Sequence, residues 1–310
     1  NHYSKNCFEN IYLLAGYKGN LIKKIYHNKL FNLIKIKCVL EKKRLGTGGA
    51  ISQLKNKIKN DFILMNGDSF VDIDLTPLFK KKLEKKFLLQ MFLLKNKNYK
   101  SNNKLSNLTL KNKEVKYDGC LMNSGVYFIK KKLLKDLKKI NISLENEILP
   151  KFINNGNVKG KFIMSDFIDI GTYKNLHYAK KTFYKKLINP AAFLDRDGVI
   201  NFDYGYVHQL KNFRLKSGVI KSIKFLNEHK YNVFIVTNQA GIARGYYTEK
   251  EFISFSKQLK KKFFTKGCFI NDLQYSPYLK GGKVKKYNKN SSLRKPGNKM
   301  IKNLTIKWPI

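Results

Sequence analysis

The chain has 310 residues, room for two domains of ordinary size, each with its own core. Its 63 lysines and arginines against 21 aspartates and glutamates give a formal charge of +42. The lysines are spread along the whole chain beside abundant Asn, Ile, Phe and Tyr, with no recognised nucleic-acid module, so no nucleic-acid partner is expected. Cys7, Cys38, Cys120 and Cys268 form no CxxC pair, which argues against a disulfide framework and a cysteine-built zinc site. No stretch reaches the length of a membrane span and no signal peptide opens the chain, so a cytoplasmic location with no membrane partner is expected. The sequence carries no reading of oligomeric state.

In chain order, residues 10–16 (NIYLLAG) read as a buried strand and residues 20–29 as a helix. Residues 34–40 make a second strand, and LGTGGA at 45–50 is a glycine-rich turn opening a helix. A strand at 62–65 ends in Asn66, Gly67 and Asp68, so a turn presents a carboxylate. A lysine-rich helix is expected near 78–86 and strands at 87–94 and 125–129. The clusters at 80–82 and 260–262 read as solvated helix faces. SLENEILPKFI at 143–153 reads as one capped helix kinked at Pro150, and FIDIGT at 167–172 as a strand ending in Asp169. After a helix at 175–187, Pro190 marks the border between domains 1–187 and 188–310. Beyond it come a strand at 191–194, a helix at 219–229 and a strand at 232–236 that ends in Thr237 and Asn238. Strands alternating with helices make the class α/β.

AAFLDRDGVIN at 191–201 sets a short apolar run before Asp195 and Asp197. A buried parallel strand delivers both carboxylates to its carboxyl end, where open α/β sheets bind ligands. One carboxylate can attack phosphorus while the other protonates the leaving oxygen and then activates water. A divalent cation, Mg2+, would offset the crowded negative charge. The alternative is a solvated Asp-x-Asp-Gly turn. Thr237 and Asn238 are placed to hold phosphoryl oxygens, and Arg244 to reach a substrate phosphate.

FLDRDGVIN, GYVH at 205–208, VTNQAGIARG at 236–245 and RKP at 294–296 resemble the histidinol-phosphatase-like branch of the haloacid dehalogenase superfamily, which includes the heptose bisphosphate phosphatases. The resemblance implies Asp195 as nucleophile, Asp197 as general acid and base, a metal held by Asp195 and the Asp197 carbonyl, and Lys295 neutralising the phosphoryl group beside Arg294. His208 lies in the loop that covers the site in relatives, and a structural histidine is an equal reading. Where relatives carry a cysteine- and histidine-built zinc loop, this chain has Ser276, Tyr278, Ser291 and Leu293, so no zinc is expected. The superfamily's later acidic motif is expected beyond Ile310.

GYKG, LGTGGA, NGDSFVDID, NSGVYFI, SLENEILP and DIGTYKNLHYA resemble the sugar-nucleotide pyrophosphorylases, heptose 1-phosphate guanylyltransferases in particular. This resemblance implies that Asp68 and Asp169 hold Mg2+, that Gly48 and Gly49 approach the base and that Glu145 contacts the sugar. Helix capping is an open alternative for the glycines and for Glu145. The family's phosphate loop is expected before Asn10, which leaves the chain as given short of both catalytic sets. Together the resemblances imply two Rossmann-like three-layer domains, a nucleotide-diphospho-sugar transferase fold followed by a haloacid dehalogenase-like fold. They imply sugar phosphate and nucleoside triphosphate substrates and a bifunctional enzyme of heptose activation. Histidinol phosphate or another phosphomonoester, and a non-catalytic sugar-phosphate-binding remnant, stay open as alternatives.

Overall fold

A computed structural model describes residues 8–73, 75, 77–78, 82–95, 104–137 and 141–310. They form two compact units, one of Tyr12–His27 and Lys37–Thr182, the other of Phe183–Ile310 with residues 8–11 and Asn28–Ile36.

Strands β1 (Asn10–Ala15), β2 (Leu30–Phe31) and β3 (Ile34–Leu40) form a sheet in the order β1-β3-β2. Next come β4 (Phe62–Met65), β5 (Ser69–Val71), β6 (Leu89–Lys95), β7 (Leu108–Lys111), β8 (Glu114–Tyr117), β9 (Leu121–Ile129), β10 (Val158–Phe162) and β11 (Phe167–Asp169). Six of them build a mixed sheet in the order β4-β9-β6-β10-β8-β7, with β10 parallel to β6 and its other described pairings antiparallel. Leu89, Met91 and Leu93 of β6 join a core with Tyr127 and Ile129 of β9 and Leu144, Leu149 and Ile153 of the helical segment. The short pair β5 and β11 runs antiparallel, Asp169 opposite Ser69.

Three expected helices differ from the sequence reading. Residues 79–81 of the lysine-rich stretch lie outside the described residues, and 82–86 are not helical. The Phe87 amide instead closes a turn on the Glu84 carbonyl at 3.1 Å, and buried Phe87 leads straight into β6. Leu83 and Phe87 have helical spacing, yet both are buried in a turn segment that ends where β6 begins at Leu89. The 143–153 segment divides into a π-helical turn, Leu144–Ile148, and an α-helix, Leu149–Asn154, with Pro150 in its first turn. Proline has no N–H to donate to a preceding carbonyl, so the hydrogen-bond register changes there. The predicted cap is present: Ser143 Oγ accepts from the Asn146 amide at 3.1 Å, and Glu147 accepts from the Ser143 amide at 2.8 Å. Further on, the expected 175–187 helix is a helix at Tyr173–Lys181 followed by a 3-10 turn at Phe183–Leu187.

In the other unit β12 (Ala191–Leu194), β13 (Asn232–Asn238) and β14 (Asp272–Ser276) form a parallel sheet in that order. Period-two alternation sends the side chains of β13 to opposite faces. Val233 and Ile235 pack with Ile223 of the Val219–Glu228 helix and with Phe252, Phe255 and Leu259 of the Glu249–Thr265 helix. Phe234 and Val236 pack with Met300, Leu304 and Trp308 of the C-terminal segment. Helices thus cover both faces, giving three layers. Burying each such side chain contributes about 1.5–3 kcal/mol. The last helix, Lys299–Lys307, is tied to the amino end of β14, where buried Asp272 accepts from Lys307 Nζ at 2.5 Å and from Trp308 Nε1 at 3.1 Å. Lys260 is buried in the Glu249–Thr265 helix rather than solvated. Its position among Phe252, Phe255, Ser256, Phe263 and Phe264 puts it on the core-facing stripe.

Candidate active sites

Leu194 pairs with Ile235 across β12 and β13, so Asp195 and Asp197 leave the sheet at the edge where Thr237 and Asn238 end β13. Gly198 turns the chain with φ +79°, and Lys216 Nζ donates to its carbonyl at 2.7 Å. Asp195 Oδ1 accepts from the Arg196 amide at 2.7 Å, while Oδ2 forms an ion pair with Lys295 Nζ. The carboxylate is 39% exposed, open to a substrate. Lys295 is set by its neighbours: Nζ donates to the Val236 carbonyl at 3.2 Å, and its amide donates to Asn238 Oδ1 at 2.9 Å. Asn238 Nδ2 returns a bond to the Lys295 carbonyl at 3.3 Å. Both ends of the Asn238 amide therefore engage the Lys295 backbone.

Asp197 has different surroundings. Arg196 Nε and Nη2 donate to its Oδ1 at 3.0 and 2.8 Å, and Nη2 also reaches Oδ2 at 2.7 Å. Asn201 Nδ2 and Gln239 Nε2 add donors at 3.1 and 3.0 Å. Arg196 is fully buried, its guanidinium 5.6 and 5.3 Å from the rings of Phe252 and Phe255. Its Nη2 also donates to the Val207 carbonyl at 2.7 Å, which ties the 202–208 loop to the site. The His208 ring stacks on Tyr247 with centroids 4.3 Å apart, and its Nδ1 lies 2.8 Å from the Tyr206 carbonyl. These contacts supply the structural partners that the sequence did not reveal.

Arg294 Nη1 donates to the Tyr278 carbonyl at 3.4 Å, and Arg294 and Lys295 line a depression of about 510 Å³ with Lys280, Lys289 and Ser291. The loop leading to them is packed by Tyr287, whose hydroxyl donates to Glu249 at 2.8 Å and whose ring meets Tyr278 with centroids 6.0 Å apart. Arg244 is exposed at the end of the Ala240–Arg244 helix.

In the first unit Asp68 and Asp169 come together. The Ile170 amide donates to the Asp68 carbonyl at 2.8 Å, and the Gly171 amide to Asp169 Oδ1 at 2.7 Å. A Cβ on Gly171 would lie 2.9 Å from Asp169 Oδ1 and 4.0 Å from Asp68 Oδ2, so the two exposed carboxylates flank that glycine. Glu145 Oε2 accepts from Thr47 Oγ1 at 2.7 Å, and Thr47 Oγ1 accepts from the Leu144 amide at 2.8 Å. The amides of Gly48 and Gly49 point at the Ile142 carbonyl, at 2.9 and 3.4 Å. A Cβ on Gly48 would meet Ile148 Cδ1 at 2.4 Å, so that glycine serves close packing of the turn.

Among the described residues no group of three or more His, Cys, Asp or Glu side chains could hold a metal ion. Magnesium needs fewer protein ligands, since it takes one or two carboxylates and fills its shell with water and phosphate oxygens. The all-oxygen donors at Asp195 and at Asp68 with Asp169 fit that hard cation.

Sequence reasoning missed Arg196, Asn201, Gln239 and Tyr247. The signal for Arg196 was a charged residue inside an otherwise turn-like DRDG, where an arginine that folds inward needs a neighbouring acid.

Both sheets thus bring carboxylates to strand ends beside basic or hydroxyl side chains. The nucleotidyl transferase family model matches residues 4–186, more than half of the chain, and the chain belongs to that family. It is also 38% identical over 107 residues to the D-glycero-beta-D-manno-heptose-1,7-bisphosphate 7-phosphatase of Yersinia pestis, covering 34% of this chain and 57% of that protein. The enzyme of the same name from Rhodopseudomonas palustris is 39% identical over 121 residues, 39% of this chain and 67% of that one. The chain thus spans roughly three fifths of the curated relatives it matches. Among solved structures, HddC from Yersinia pseudotuberculosis complexed with GMP-PN is 26% identical with a TM-score of 0.46, covering 56% of this chain and 79% of that one. No helix among the described residues is long and apolar enough to cross a membrane.

Proposed function

We propose that the chain is a bifunctional, Mg2+-dependent enzyme of heptose activation in the cytoplasm. Residues 188–310 belong to a phosphatase that removes the 7-phosphate of a heptose 1,7-bisphosphate. Residues 1–187 belong to a heptose 1-phosphate nucleotidyltransferase. The observation that carries the first activity is Asp195, partly open and paired with Lys295, beside Asp197 and the Thr237 hydroxyl at the same sheet edge.

Asp195 attacks phosphorus, forming an aspartyl-phosphate as the bond to the sugar oxygen breaks, and Asp197 gives that oxygen its proton. Asp197 then takes a proton from water, which attacks phosphorus and frees Asp195 and inorganic phosphate. Lys295 and the Thr237 hydroxyl offset charge on the phosphoryl oxygens. A magnesium ion held by Asp195 and the Asp197 carbonyl would neutralise phosphate charge when bound. In the other half, a sugar 1-phosphate oxygen displaces pyrophosphate from the α-phosphorus of a nucleoside triphosphate. Asp68 and Asp169 would hold that reaction's magnesium, and Glu145 orients the sugar.

A phosphate-release assay across a panel of sugar phosphates tests the reading. Heptose 1,7-bisphosphate is expected to be the preferred substrate, and Asp195→Asn is expected to abolish release while substrate still binds. Ordinary turnover by that variant would remove Asp195 from the mechanism.

A further inference from the structure

We propose that Gln239 is the positioning residue of the phosphatase-like site. Its single carboxamide sets both the Asp197 carboxylate and the Thr237 hydroxyl, and Tyr247 fixes which way that carboxamide points. The inference rests on the roles read above for Asp195, Asp197 and Thr237.

Gln239 follows β13 and is 2% exposed. Its Nε2 carries two hydrogens, one directed to Asp197 Oδ2 at 3.0 Å and the other to Thr237 Oγ1 at 2.9 Å. Its Oε1 accepts from the Tyr247 hydroxyl at 2.7 Å. Chemistry decides the orientation, because a carboxylate only accepts and the nitrogen end must face it. Burial pushes the Tyr247 hydroxyl well above its ordinary range, so it stays protonated and can donate to the amide oxygen alone. A flipped carboxamide would set oxygen against Asp197 and leave the tyrosine hydrogen facing an N–H.

The effect on Thr237 follows directly. Its hydroxyl accepts from Gln239 and so keeps its own proton for another acceptor, at the strand end where a phosphoryl oxygen would lie. Thr237 is 1% exposed, so this direction is not averaged by solvent. Asp197 is held from two sides, by the Arg196 fork and by Gln239. Tyr247 is itself fixed by the stacked His208 ring and by Gly241, where a Cβ would sit 2.4 Å from the tyrosine ring. Packing around Tyr247 therefore reaches both the proton-transfer group and the phosphoryl-binding hydroxyl through one buried amide.

The test uses the chain with Gln239→Leu and Tyr247→Phe, in single-turnover phosphoryl transfer from a sugar phosphate and from 4-nitrophenyl phosphate. An alkyl ester needs a proton on its leaving oxygen and nitrophenolate does not. Loss of Thr237 alignment slows both esters, whereas loss of Asp197 alignment slows only the sugar ester. Each variant is expected to lose at least about tenfold more rate with the sugar phosphate than with the aryl phosphate, with KM changed less than about threefold. Equal losses on both esters, or none, would overturn the proposal. A second readout does not depend on turnover. In chain labelled with 15N-glutamine, Tyr247→Phe is expected to shift the Gln239 side-chain amide signals and speed their exchange with water. Unmoved signals would overturn the proposal in any background. Shifted signals in a chain that releases no phosphate would support the positioning and sink the phosphatase reading alone.

Discussion

Asp195 and Asp197 stand two positions apart in the sequence and face different partners, and that difference fits the separate roles proposed for them. Asp195 is half-open with a flexible ammonium on one oxygen, an arrangement that a substrate phosphate can enter. Asp197 is enclosed by a planar guanidinium that is itself fully buried. Removing that guanidinium would leave the Val207 carbonyl without its donor and Asp197, 20% exposed and still held by Asn201 and Gln239, without its ion-pair partner. Arg196→Met is therefore expected to destabilise the chain by about 1–3 kcal/mol in urea unfolding. Arg196→Lys should recover little, since an ammonium cannot reproduce the fork and the Val207 bond together. Lys295→Met belongs to a different class. Its side chain is 30% exposed, so the expectation is a folded protein with a sharply reduced rate of phosphate release, read by circular dichroism and turnover on the same sample. A normal rate in that variant would remove Lys295 from the phosphoryl site.

The Glu249–Thr265 helix supplies the aromatic platform under Arg196, so its first turn matters to the site. Thr248 caps it in a reciprocal box: Thr248 Oγ1 accepts from the Glu251 amide at 3.2 Å, and Glu251 accepts from the Thr248 amide at 2.7 Å. Thr248→Ala is expected to lower stability by about 1 kcal/mol in urea unfolding. The Thr248 amide and hydroxyl hold the Glu251 carboxyl below its ordinary range. A depressed carboxylate stabilises above its unfolded pKa and loses that contribution as pH falls through the folded one. The cost of Thr248→Ala should accordingly shrink in acid, and a cost independent of pH would count against the box. That cap and most of the helix it opens are not read from the sequence, where only the 260–262 cluster is expected to be helical, but several strands were legible beforehand. The apolar runs of β3, β4 and β12 and the strand-end carboxylates follow from short-range pattern, whereas the stretch near residue 83 failed because a turn there buries Leu83 and Phe87 ahead of β6. Arg196 and Gln239 stayed hidden for a related reason. Periodicity reports which face is apolar, not which polar groups meet, and the rings under Arg196 come from another helix more than fifty positions on.

At the scale of the whole molecule, each compact unit carries its own strand-end carboxylates and its own apolar core. The acids of the Lys37–Thr182 unit are not built into its packing. Asp68 and Asp169 are exposed, bonded locally through Ser69 and Gly171, and flank a glycine rather than a core side chain. Removing one of them opens no cavity and orphans no buried group, so Asp68→Ala is expected to change stability by less than about 0.5 kcal/mol. The same change takes away one of two carboxylates proposed to hold magnesium against nucleotide phosphates, and nucleotidyl transfer should fall below detection. The residues proposed to carry phosphate release, Asp195, Asp197, Thr237 and Lys295, all lie within the Phe183–Ile310 segment, so that activity is expected to be unaffected. Assaying both reactions on the Asp68→Ala chain separates the cases. Lost transfer with intact phosphate release would establish two chemistries in two units, and loss of both would mean that Asp68 serves a step the two activities share.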